Sequence, residues 1–169
     1  MNILEKDLEE IIHNSSSEEL YERGLYLSGK SIRQLRIGGY GISDLIFYRR
    51  EYFFDYNDRG VFGMTSTLII TVCELKKEKA GISAFLQAVR YTKGIKSYLD
   101  KRGFKNYKLE IVLIAKEIDN SSDYIFLTDI IKSESLRFVN DISNYSVKYC
   151  LNGLSFNLER GYKLINEKF

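Results

Sequence analysis

The chain has no proline, no tryptophan, one histidine and only two cysteines in 169 residues. Without proline, tight reversals must be made by Gly, Asn, Asp and Ser, and without tryptophan the aromatic core falls to 13 Tyr and 10 Phe. The single histidine, His13, has no partner motif, which argues against a histidine triad or a zinc site and leaves it as a helix-end residue. Cys73 and Cys150 both lie in apolar strand-like runs, and neither is placed as a ligand or nucleophile. No segment resembles a signal peptide or reaches membrane-spanning length, so the expected location is a reducing cytoplasm with no membrane partner. Internal repeats, low-complexity tracts and linkers are also missing.

What remains is 44% hydrophobic, enough to build one sizeable core, and a single domain over residues 1–169 is expected. The net charge is only +2, but it is unevenly spread. Residues 1–31 carry 3 basic and 7 acidic side chains, residues 32–75 carry 5 of each, residues 76–108 carry 10 and 2, and residues 109–169 carry 7 and 9. The basic block has the form of an electrostatic footprint for a polyanion, although Lys and Arg also solvate ordinary surface helices.

Hydrophobic periodicity places an amphipathic helix over residues 3–13, with Leu4, Leu8, Ile11 and Ile12 on one stripe and Glu5 and Glu9 together beside it. Ser16 or Ser17 can cap a short second turn through Glu18 to Tyr21. From Ser31 the pattern becomes strands: SIRQLRI, a turn at Gly38-Gly39-Tyr40-Gly41, then ISDLIFYRR. Residues 49–67 read as an extended hairpin or an excursion that turns at Asn57-Asp58-Arg59-Gly60. Leu68 to Cys73 is apolar on both faces, as suits a central strand, and it ends in Glu74-Leu75-Lys76 before a short charged turn. A helix from Gly81 to Arg102 follows, stopped by Gly103, with Phe85, Val89, Thr92 and Leu99 on one stripe and Gln87, Tyr91, Gly94 and Tyr98 on another. Lys108 to Ala115 is a further strand, Ser121 to Ile131 a short helix capped by Ser121 or Ser122, and strands are expected near 136–140, 145–151 and 154–158 with a turn at Asn152-Gly153.

Side chains alternate across a strand, so Glu74 and Lys76 leave one face while Cys73 and Leu75 leave the other. In the preceding strand Asp44 shares a face with Ile46 and Tyr48 and sits between Ile42 and Leu45, a costly place for a carboxylate unless it is paired, solvated or bound to a cation. If these strands are neighbours, Asp44 and Glu74 meet at one end, where a hard cation relieves their repulsion. Mg²⁺ suits such a pair because it takes carboxylate oxygens and keeps several waters. Taken singly, a Glu-x-Lys strand pair, a strand Asp and a Gln-x-x-x-Tyr helix are ordinary structural features. Their joint order is what points to a site.

In that order the sequence resembles the PD-(D/E)XK nuclease superfamily, which includes restriction endonucleases, Holliday-junction resolvases and RecB-like nuclease domains. The resemblance covers roughly residues 4–115. Glu5-Lys6-Asp7-Leu8 looks like the first helix with its acidic residue, Gly41-Ile42-Ser43-Asp44-Leu45 the metal-binding Asp motif, Glu74-Leu75-Lys76 the (D/E)-x-K signature, and Gln87 to Tyr91 the Gln-x-x-x-Tyr element of the RecB-like branch. Ser43 stands where the superfamily's name has proline, a position that varies in the family. The resemblance implies an α/β, restriction-endonuclease-like α-β-β-β-α-β core with a mixed sheet flanked by helices, extended by a C-terminal helix and β-hairpin in residues 116–169. It implies Mg²⁺ or Mn²⁺ held by Asp44, Glu74 and the Leu75 carbonyl, with Lys76 positioning or activating the attacking water. Gln87 and Tyr91 would order the site or contact the nucleic-acid backbone, and Glu5 or Glu9 would be the acidic residue of the first helix. The implied activity is hydrolysis of DNA phosphodiesters by in-line attack of a metal-activated water, leaving a 5′-phosphate and a 3′-hydroxyl. Lys77, Lys79, Arg90 and Lys93 are the expected phosphate contacts. DNA is the implied partner, no organic cofactor is expected, and a homodimer stays open because restriction-like and resolvase-like members act as dimers. The alternative is a nuclease-fold module that binds nucleic acid or a protein without cutting, its tyrosines forming a binding surface.

Overall fold

The computed structural model describes residues 5–56, 59–132, 138–151 and 153–159. Two short helices, α1 (Glu5–Asn14) and α2 (Ser17–Glu22), lead into β1 (Lys30–Arg36). A 3-10 turn at Gly38–Tyr40 joins β1 to β2 (Ile42–Tyr56), followed by β3 (Phe62–Ala80), α3 (Ile82–Lys101), β4 (Tyr107–Ile118), α4 (Ser122–Lys132), β5 (Asp141–Cys150) and β6 (Gly153–Leu158). The strands lie side by side in chain order in one six-stranded sheet. β1, β2 and β3 run antiparallel, β3, β4 and β5 run parallel, and β6 returns antiparallel to β5.

This α/β arrangement follows from where the apolar residues fall. Leu8 and Ile12, four apart, bury one stripe of α1 against Leu45, Phe47, Cys73, Leu75 and Ile114 of the sheet. α2 begins with a capping box: the Ser16 hydroxyl accepts from the Glu19 amide at 3.1 Å and the Glu19 carboxylate accepts from the Ser16 amide at 2.7 Å. On the opposite face, Phe85, Ala88, Tyr91, Ile95 and Leu99 of α3 and Tyr124 of α4 cover Ile46, Val72, Ile111 and Leu113. α3 and α4 are the crossovers of two successive parallel connections that move the same way across the sheet, and crossovers of one hand then fall on one face. Three layers result. Among the described residues no helix is long and apolar enough to cross a membrane.

α3 ends in a Schellman motif: the Gly103 amide reaches the Asp100 carbonyl at 3.0 Å and the Phe104 amide the Leu99 carbonyl at 3.0 Å, with Gly103 at φ +77. The stop expected at Gly103 is therefore present. The two stripes expected on α3 are not separate, because Tyr91 and Gly94 are buried with Phe85, Thr92 and Leu99, while Tyr98 is exposed. The cause is the 3-10 turn, whose Tyr40, with Ile37 just before it, packs onto the helix at Gly94 and widens its buried arc.

Other expectations need correction. The charged turn after Lys76 is strand: β3 continues to Ala80, and after an irregularity between Lys76 and Lys79 it pairs again with β4 at Lys79↔Glu117 and Ala80↔Ile118. Opposite charges across that ladder, Lys116 with Glu78 at 3.3 Å and Lys79 with Glu117 at 3.9 Å, let a charged sequence extend a strand. No strand forms at Phe138–Asn140; residues 136 and 137 of that expected strand lie outside the described residues. β5 begins at Asp141, ahead of the expected 145, because it pairs in parallel with β4 from Glu110. Asn152 also lies outside the described residues, although β5 and β6 pair across that point. Cys150, in a strand as expected, is exposed. The core is mainly aliphatic, since Tyr52, Phe54, Tyr56 and Phe62 are among the aromatic residues left on the surface.

Gly94 offers a test of the contact between α3 and the turn. A Cβ there would meet Ile37 Cγ2 at 2.6 Å and the Tyr40 ring at 2.7 Å. Helix propensity alone would favour alanine by about 1 kcal/mol. Overpacking is expected to reverse that sign, so Gly94→Ala should destabilise the fold by about 1–3 kcal/mol in urea titrations. A higher urea midpoint for the variant would contradict the packing described.

Candidate active site

The site forms where β2 and β3 part. Their ladder closes with Leu45↔Cys73, and one residue further on Asp44 turns its side chain across the gap, so that Oδ2 accepts the Leu75 amide at 3.0 Å. On the other flank, the β1 ladder passes in constant register from Arg33↔Leu45 to Leu35↔Ser43 and leaves out the opposed Gln34 and Asp44, Gln34 sitting at φ +49. The backbone is thus irregular on both sides of Asp44, and its carboxylate takes the place of a ladder acceptor. Asp44 is half-buried.

Glu74 stands in β3 beside Leu113 of β4 and is fully buried. Its Oε1 accepts Lys76 Nζ at 2.9 Å, and Lys76 itself remains partly open to solvent. Oε2 is buried without a hydrogen-bond partner. Burial, then the charge of Asp44, push the Glu74 carboxyl up to about 7 against the pull of Lys76. Asp44 is raised as well, by burial, with the Leu75 amide and Lys76 opposing. Burial alone would depress Lys76, but its hydrogen bond to Glu74 and the charges of Glu74 and Asp44 outweigh it and hold the ammonium above its usual range. Cys73, behind the site, has its thiol pushed far up by burial, which leaves it no thiolate for chemistry.

The two acidic residues of α1, expected side by side, part company. Glu9 is buried and both its oxygens are bonded: Oε1 accepts Arg33 Nε at 2.6 Å and Oε2 accepts Gln34 Nε2 at 2.6 Å, tying α1 to β1. Glu5 is exposed and its Oε1 accepts the Lys77 amide at 3.0 Å, which places it beside β3 just after Lys76. The charges of both act on Asp44, Glu9 more than Glu5, while Glu5 also acts on Glu74 and Lys76. Gln34 was not singled out by the sequence, because a non-glycine residue at positive φ leaves no signature in composition or period.

The remaining candidates lie along β3 and α3. Gln87 Nε2 donates to the Tyr91 hydroxyl at 2.8 Å, and the Tyr91 ring lies so near Gly41 that a Cβ there would stand 2.8 Å from it. Gln87 and Tyr91 thereby fix the turn that leads into the Asp44 strand. Leu75 buries its side chain on the α1 face and gives its amide to Asp44. Among the proposed phosphate contacts, Lys77 is half-buried beside Glu5, and Lys79 is paired with Glu117 and Asp119. Arg90 and Lys93 are exposed on α3, each over an aromatic ring, Tyr91 and Phe138. Part of the basic block is therefore already neutralised.

Comparison with protein-family models, with curated proteins and with solved structures gives no match for this chain. Chemically, the centre offers two carboxylates, one with a bare oxygen, beside an ammonium. Among the described residues no group of three or more His, Cys, Asp or Glu side chains is arranged to hold a metal ion. Two carboxylates completed by water are nevertheless what a hard divalent cation accepts, and the bare Glu74 Oε2 fits that role.

The raised Glu74 pKa fixes a sign for stability in metal-free buffer. The folded carboxyl holds its proton to about 7 while the unfolded one releases it near 4.5, so stability falls as pH rises between those values and the penalty is complete above them. Glu74→Gln should remove this term. Wild type should lose stability relative to the variant, by at most about 3 kcal/mol, between about pH 5 and about pH 8 in urea titrations. Parallel pH profiles for the two proteins would refute it.

Proposed function

We propose that this chain is a metal-dependent nuclease of the PD-(D/E)XK type, with a restriction-endonuclease-like core, that hydrolyses DNA phosphodiesters. The observation that carries the reading is the bare, buried Oε2 of Glu74 at the fork where Asp44 crosses to the Leu75 amide. The order α-β-β-β-α-β, with Asp44 on the second strand and Glu74 and Lys76 on the third, supports the same assignment. Asp44 and Glu74, with the Leu75 carbonyl, would hold Mg²⁺ or Mn²⁺. A metal held there would supply acidity to a water and polarisation of a phosphoryl oxygen.

The protein's own groups do the rest. Lys76 presents its ammonium at the mouth of the site, where it orients the attacking water and offsets the negative charge that builds on the phosphoryl oxygens. Glu5 anchors the backbone just after Lys76, at the irregularity in β3. The Gln87–Tyr91 pair acts through the turn before Asp44 and is a positioning element. Arg90 and Lys93 offer phosphate contacts that carry no sequence information. The compartment proposed is a reducing cytoplasm.

The test is cleavage of plasmid, linear and branched DNA with Mg²⁺, Mn²⁺ or EDTA. Cutting should require the ion, and Glu74→Gln and Lys76→Ala should each reduce it by about a hundredfold or more. Cutting that survives both substitutions would sink the assignment. DNA binding with no cutting under any metal would favour the non-cleaving module instead.

A further inference from the structure

At the end of β2 and β3 opposite the site, the two strands leave the sheet. β1 pairs with β2 only from Lys30↔Tyr48, and β4 pairs with β3 only from Leu68↔Tyr107. Beyond those points β2 and β3 continue together as a two-stranded ribbon, with partners from Glu51↔Thr67 to Tyr56↔Phe62. Its base is held on one side by Arg49, which pairs with Glu51 at 3.1 Å and Glu110 at 3.8 Å. Residues opposite one another in a ladder share a face. One face of the ribbon therefore carries the pairs Tyr52↔Ser66, Phe54↔Met64 and Tyr56↔Phe62, while the other carries Phe53↔Thr65 and Asp55↔Gly63.

The first face is aromatic and open. Tyr52, Phe54, Tyr56, Phe62 and Met64 are 54 to 68% exposed, and the rings of Phe54 and Phe62 already stack at 5.8 Å. Within residues 52–56 and 62–66 the one charged side chain is Asp55, and it lies on the other face. A ribbon of two strands with nothing over it is marginal in water, so this face needs cover. A nucleic acid is a poor fit, because its affinity comes from Lys and Arg neutralising phosphates, and on this face only Arg50, at the base and hydrogen-bonded to Ser66 at 3.4 Å, precedes the row of rings. The site is also remote: Met64 is ten residues before Glu74 along β3, about 33 Å at strand rise.

We propose that the aromatic face of the ribbon docks on the same face of a second copy of this chain, forming a two-fold dimer. Five side chains of roughly 200 Å² at about three-fifths exposure leave on the order of 600 Å² per copy, or about 1,200 Å² for a pair. That total reaches the size of a specific interface when the partner brings an equal apolar patch, as an identical copy does. Between Tyr52 and Tyr56 and between Phe62 and Ser66 this face carries no charge to repel its twin, and a two-fold contact closes on itself. The inference rests on the ribbon and stands independently of the proposed activity.

Sedimentation of the full chain over a concentration series tests it. Wild type should be a dimer that dissociates on dilution, and Phe54→Lys or Met64→Lys should shift it to monomer with an unchanged far-UV spectrum. Thr65→Lys, on the other face, should stay dimeric. Hydrogen exchange on wild type gives a readout free of mutations: amides of residues 52–56 and 62–66 should lose protection on dilution into the monomer. A wild type that stays monomeric at high concentration overturns the proposal. So does a dimer that survives both aromatic-face substitutions, or protection that is indifferent to dilution.

Discussion

The hydrogen bond from the Leu75 amide to Asp44 Oδ2 is the contact on which the arrangement of the centre depends. A strand pair normally ends by exposing its amides to water, but here a side-chain carboxylate steps into the ladder. Two consequences follow. Asp44 is drawn toward β3, where its charge raises the neighbouring Glu74, and opposite it in β1 Gln34 takes a positive φ while the register stays unchanged. Glu9 holds that point of β1 through Gln34 and Arg33, so a helix, two strands and a buried carboxylate are fixed around one departure from regular pairing.

β2 and β3 thus carry opposite anomalies at their two ends. At one, a carboxylate oxygen is buried without a partner, and at the other a row of aromatic side chains is exposed without cover. Each is costly for an isolated chain, the first through desolvation and the second through water at apolar surface. Both costs fall if something binds: a cation at the fork, an identical ribbon at the arm. The sheet between them, buried on both faces through β3 and β4, supplies the rigidity that lets both ends stay unsatisfied.

Much of this was legible because it depends on local period. The apolar stripe of α1, the double-sided burial of Leu68 to Cys73, the stop at Gly103 and the common face of Glu74 and Lys76 all follow from spacings within a few residues. What escaped depends on partners distant in sequence. β3 runs on through Lys77 and Glu78 because β4 is there to pair with Lys79 and Ala80, and nothing in the segment itself distinguishes that from a charged turn. Glu5 and Glu9 occupy equivalent helical positions, and only the contact of α1 with β1 at one and β3 at the other separates them. The aromatic ribbon was visible as an extended hairpin, but not as one whose aromatic face is left open, because alternation looks the same whether a neighbouring layer covers it or not.

The central claim is that Asp44 and Glu74 hold a divalent cation. Paramagnetic resonance of Mn²⁺ titrated with the intact protein measures this directly, since the free ion's signal is lost on binding. The account predicts one bound ion per chain for wild type, and loss of that binding in both Asp44→Asn and Glu74→Gln. Mn²⁺ that remains free in the presence of wild type, or is bound equally by both variants, would contradict it.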